Sequence, residues 1–110
     1  MKIKFHIYLA TKTKWAHLTK IIEMPVVPRV GEYMKFTNEE MGNYFAFPVI
    51  DVEYKESGEI EVMTDLLDNI DKRMYSFDEN NEFEEYYQSF LKEGWVCGRG
   101  IGPNRRYKNT

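Results

Sequence analysis

The side chains best suited to moving a proton are His6 and His17, and the only thiol is Cys97. Imidazole exchanges a proton near neutral pH, and a thiolate can attack an electrophile. No motif marks a nucleophile beside either histidine, and Cys97 has no histidine next to it in the chain. These residues therefore read as surface or structural histidines and a small apolar cysteine. Arg99 would lower the thiol pKa, but a single cation is thin ground for a reactive cysteine. Asp65, Asp68 and Asp71 recur every three residues, yet they lack the alternate-acid pattern and closing Glu of a calcium loop. Gly98, Gly100 and Gly102 lead into Pro103 and a basic terminus, with no room for the helix a phosphate-binding glycine loop must open. No catalytic set, metal site or cofactor is expected.

Charge offers two binding surfaces. Residues 1–36 carry seven Lys and Arg against two Glu, residues 37–93 carry sixteen acids against four cations, and residues 94–110 carry four cations and no acid. Asp51, Glu53, Glu59 and Glu61 fall on one face of an expected hairpin, where they form an acidic column suited to a basic protein partner. Glu53 would face Glu61 there, a repulsion that a neighbouring cationic strand such as Lys2, Lys4 and His6 would relieve. The second surface is basic. Lys2, Lys4, Arg105, Arg106 and Lys108 could neutralise phosphates, and Tyr8, Trp15 or Tyr107 could stack on bases. Against it stands a net charge of -3, whereas nucleic-acid modules are usually basic overall.

The elements that position these residues are mostly strands. Ile3, Phe5, Ile7 and Leu9 alternate with Lys2, Lys4, His6 and Tyr8, the period of a half-buried strand. Residues 11–14 read as a turn or strand end. Residues 15–24 fit a second strand through Leu18, Ile22 and Met24, and fit a short helix through Leu18, Ile21 and Ile22. Pro28 to Glu32 forms a turn into a strand over 33–36. Tyr54 must pair with a residue of like face, and Ile60 is the nearest, which leaves the loop Glu56-Ser57-Gly58 with Gly58 at positive φ. The apolar phase shifts near Pro48, the mark of a bulge or sharp bend. Residues 65–77 hint at a helical turn. A helix is predicted over about 79–93: Asp78, Asn80 or Asn81 caps it, Phe83, Tyr86, Tyr87, Phe90 and Leu91 form its apolar stripe, and Gly94 ends it. Trp95 to Cys97 could add a short strand.

At 110 residues the chain is one domain, expected over 1–97, followed by a mobile Gly-rich then basic tail over 98–110. The fold class expected is α+β: a curved antiparallel sheet of about five strands, open or partly closed as a small β-barrel, with one C-terminal helix. A lone cysteine and the alternating, uninterrupted first strand point to a cytoplasmic protein without disulfides or a membrane span. The leading functional reading is a non-enzymatic module that binds another protein, in the general character of an acidic inhibitor such as an immunity protein. The alternative is single-stranded nucleic-acid binding through the basic termini. A small enzyme whose site assembles only in three dimensions is the third reading, and it requires a pocket with a perturbed acid or histidine. An exposed edge strand would also allow a homodimer.

Overall fold

The computed structural model describes residues 1–11, 13–39, 46–64, 75–76 and 82–103. Strand β1 (Lys2–Ala10) turns back into β2 (Lys14–Glu23), with Tyr8 opposite His17 and His6 opposite Thr19. The Thr11 hydroxyl accepts the backbone N–H of Thr13 and of Lys14, a side-chain-closed turn that fixes this register. Residues 14–23 are therefore a strand, and pairing with β1 outweighs the helical spacing. Strand β3 (Tyr33–Lys35) follows a turn in which Gly31 has φ of 95°, and pairs with β4 (Ala46–Tyr54). β4 turns into β5 (Ile60–Thr64) with Tyr54 opposite Ile60, Gly58 at φ of 95° and a bulge between Val49 and Asp51. Loop and bulge both lie where the sequence placed them.

The sheet runs β3-β4-β5-β1-β2-β7, where β7 is Gly102–Pro103 on the outer edge of β2. The short β6 (Tyr75–Ser76) also pairs with β1. One correction concerns direction. β1 runs parallel to β5 and to β6, so the sheet is mixed rather than antiparallel. Alternation with period two marks a strand but is blind to which way its neighbour runs. The sheet stays open, since no pairing joins β3 to β7 among the described residues.

Helix α1 (Glu82–Lys92) lies within the range predicted for it, and its cap candidates Asp78, Asn80 and Asn81 fall outside the described residues. Its C-terminus is a Schellman motif. Trp95 N–H donates to Phe90 C=O at 3.2 Å, Gly94 N–H donates to Leu91 C=O at 3.1 Å, and Gly94 holds φ of 94°. The Phe90 and Trp95 rings close it at 6.0 Å between centroids. Phe83 and Phe90 turn the helix onto the sheet face built from Ile3, Phe5, Ile7, Leu9, Leu18, Val49 and Val62. Phe36 sits at the hub, edge-on to Phe5 at 5.3 Å and to Trp95 at 4.9 Å.

Beyond α1 the chain stays on the sheet. Val96 exchanges two backbone hydrogen bonds with Thr19, each 2.9 Å. The segment expected to leave the domain after Cys97 continues along β2 as far as Pro103, because Gly102 and Pro103 pair with Trp15 and Lys14. Residues 65–74 and 104–110, including Asp65, Asp68, Asp71, Arg105, Arg106 and Lys108, lie outside the described residues. No described helix is long and apolar enough to cross a membrane.

The Schellman cap yields a test. Gly94→Ala forces a side chain into a left-handed backbone at a cost of about 1–2 kcal/mol. Thermal unfolding should show a fall in Tm of several degrees, whereas Gly98→Ala, where φ is ordinary and an added Cβ meets nothing, should leave Tm nearly unchanged.

Candidate functional site

Alternation in β1 sends Lys4, His6 and Tyr8 to the face opposite the helix. The β2 register adds Trp15, His17 and Thr19 to the same face. Parallel pairing brings Glu61 beside Lys4, and the β4–β5 hairpin sets Glu53 beside Glu61. Four nearly parallel rings then follow in sequence. Trp15 lies against Tyr8 at 6.1 Å between centroids, Tyr8 against His17 at 4.6 Å, and His17 against His6 at 4.9 Å, all within 15° of parallel.

A hydrogen-bonded line continues from this stack into the sheet. His17 Nε2 meets His6 Nδ1 at 2.7 Å, and His6 Nε2 meets Glu61 Oε1 at 2.5 Å. Lys55 Nζ bonds the other carboxylate oxygen, Glu61 Oε2. His6 and Glu61 are buried, at 5 % and 7 % exposure. An ionised carboxylate only accepts, so His6 must donate from Nε2 and offer Nδ1 as an acceptor. His17 must then donate from Nε2. This leaves Nδ1 of His17 as an unprotonated ring nitrogen with no protein partner among the described residues.

The electrostatics agree with that assignment. The bond from Lys55 holds the Glu61 carboxyl below its usual range, assisted by His6 and opposed by burial. The same bond raises Lys55. Burial lowers the pKa of His6, against the pull of Glu61. His17 is lowered furthest, to about 4, first by burial and then by the nearby charges of His6, Lys4 and Arg99. Both rings are thus neutral at neutral pH.

His17 also lines a cleft of about 900 Å³ between this face and the 96–103 segment. Lys4, Trp15 and Thr19 share its floor, while Arg99, the surrounding glycines and Pro103 form the opposite wall. Among the described residues its lining has two cations and no carboxylate. No group of three or more His, Cys, Asp or Glu among the described residues could hold a metal ion.

The sequence-predicted surfaces are divided by this arrangement. Glu61 leaves the acidic column for the interior, where the Lys55 ammonium and the neutral His6 ring bond its two oxygens. Glu53 and Glu59 remain exposed and Asp51 is half-buried. Lys4 lines the cleft, Tyr8 is stacked beside it, and Lys2 is exposed on the same strand. The sequence reading gives neither His17 nor Arg99 a place in a binding surface. Pairing Thr11 with Lys14 would have put Tyr8 opposite His17 and so brought the two histidines together. The chain matches no protein-family model, no curated protein and no solved structure.

The line of buried groups makes stability depend on pH. Folded His6 and His17 titrate below the ordinary 6.5, so the unfolded chain binds more protons in that range. Stability is therefore full above about pH 6.5 and falls as pH drops toward about 4, with protonation of Glu61 adding loss at the acid end. His17→Gln keeps a donor for His6 and removes one titrating ring. Urea midpoints measured across this range should fall less steeply with acid in that variant than in the parent.

Proposed function

We propose that the protein binds single-stranded nucleic acid in the cleft beside His17. The observation that carries this reading is the composition of the cleft: Lys4 and Arg99 for phosphate, Trp15 and His17 as ring surfaces, and no acid among its described lining residues. A backbone phosphate would answer both cations, and a base would answer the indole. The acidity of the whole chain weakens long-range attraction, while Lys4 and Arg99 line the cleft itself.

A second reading, docking of a basic protein, is favoured by Tyr54. This ring is 70 % exposed at the hairpin end and is flanked by exposed Glu53, Glu56 and Glu59. Exposed tyrosine among acids suits an interface.

Binding of a fluorescent mixed-sequence oligonucleotide, followed by anisotropy over a salt series, separates the two. Two phosphate contacts predict a slope of log K on log salt of about -1.4, and Arg99→Ala should reduce its magnitude by about 0.7. Trp15 fluorescence should be quenched on binding. No binding even at low salt would remove the nucleic-acid reading and leave the Tyr54 surface as the better one.

A further inference from the structure

The cleft holds more than binding requires. A ligand site for phosphate and base needs the cations and the rings, but not a buried carboxylate behind two histidines. The line Glu61–His6–His17 fixes which nitrogen of each ring carries its proton, and it leaves the open nitrogen on the one imidazole that lines the cleft. A proton gained at His17 Nδ1 need not stay on that ring. His17 can pass its Nε2 proton to His6 Nδ1, and the resulting His6 imidazolium then donates to Glu61 on one side and to His17 on the other. The positive charge ends beside a carboxylate instead of between Lys4 and Arg99. This is the support that a carboxylate–imidazole pair gives a general base.

The substrate class follows from what faces that base. Among the described residues no hydroxyl or thiol is hydrogen-bonded to His17, which points to a nucleophile that arrives with the ligand. RNA carries one, the 2′-hydroxyl next to each phosphodiester. We propose that the cleft cleaves single-stranded RNA by internal transesterification, with His17 as general base, Lys4 and Arg99 on the phosphate, and His6 and Glu61 as positioning residues. His17 Nδ1 takes the proton of the 2′-hydroxyl, and the 2′-oxygen forms a bond to phosphorus. The bond from phosphorus to the 5′-oxygen breaks, and its electron pair goes to that oxygen, which takes a proton from the Lys4 ammonium. The products are a 2′,3′-cyclic phosphate and a 5′-hydroxyl. Water returns the proton from His17 to Lys4, so nothing else is consumed. The two cations meet the negative charge that builds on the phosphoryl oxygens.

Phosphate binding also prepares the base. Part of the depression of His17 comes from Lys4 and Arg99, and an anion between them offsets it, so His17 accepts a proton more readily when RNA is bound.

This inference rests on the nucleic-acid reading, and one experiment distinguishes their failures. The full chain is incubated with a chelator and three labelled oligonucleotides of one sequence: RNA, DNA and 2′-O-methyl RNA. Binding is read by anisotropy and cleavage by gel and mass spectrometry. All three should bind, and only RNA should be cut, leaving the cyclic phosphate. His17→Ala should slow cleavage by about 100-fold or more when compared at RNA concentrations that anisotropy shows to saturate each protein. For Glu61→Gln, the cleavage rate should fall and its pH profile should shift to lower pH, since the carboxylate no longer favours the protonated pair. Circular dichroism of each variant confirms that it folds. RNA bound but left intact, cleavage of DNA, or undiminished cleavage by folded His17→Ala would overturn the transesterification. If no oligonucleotide binds, the binding reading falls and carries this one with it.

Discussion

Glu61 places a carboxylate on β5, in the middle of the sheet and at 7 % exposure, and the second face of the molecule is organised by the need to satisfy it. A buried charge without partners is far more costly than one bonded on both oxygens. Lys55 reaches back from the end of β4 to one oxygen, and His6 crosses from β1 to the other. Both contacts exist only in the observed register. A slip of one residue between β1 and β5 would point Glu61 into the face holding Phe5 and Ile7, and Val62 toward the histidines. The carboxylate thus specifies strand placement and tautomer together.

The two faces of the sheet divide the work. The helix face is apolar and aromatic, with Phe36 between Phe5, Phe47 and Trp95. Its burial supplies most of the driving force for folding. The opposite face carries the stacked rings and the proton line, and the 96–103 segment makes it a cleft instead of a flat surface. The Schellman turn at Gly94 links the two. It reverses the chain after α1, seats Trp95 in the core and delivers Val96 to the edge of β2. From there Arg99 has only a short path to the cleft wall. A fold this small holds Arg99 near His17 through backbone pairing at Thr19, Trp15 and Lys14.

Much of this was legible in the chain because it is local. The alternation from Ile3 to Leu9, the Tyr54–Ile60 register, the glycine at 58, the bulge near Pro48 and the apolar stripe of the helix all follow from neighbours within a few residues. What was hidden depends on strands distant in sequence. Alternation gives no direction, so the parallel seating of β5 against β1 could not be read. The contact between His6 and Glu61 spans 55 residues and arises from that seating alone. Glu61 looked like one of four surface acids for the same reason. His17 was closer to view, since the turn at Thr11 settles its partner across the hairpin.

The most direct measurement is nitrogen NMR of the imidazole rings across a pH titration. With Glu61 ionised and bonded to His6, both rings should be neutral near neutral pH with the proton on Nε2. His17 should stay neutral until about pH 4. A His17 that titrates near the ordinary 6.5 with a mixture of tautomers would contradict the buried carboxylate–histidine line, and with it the account of the cleft.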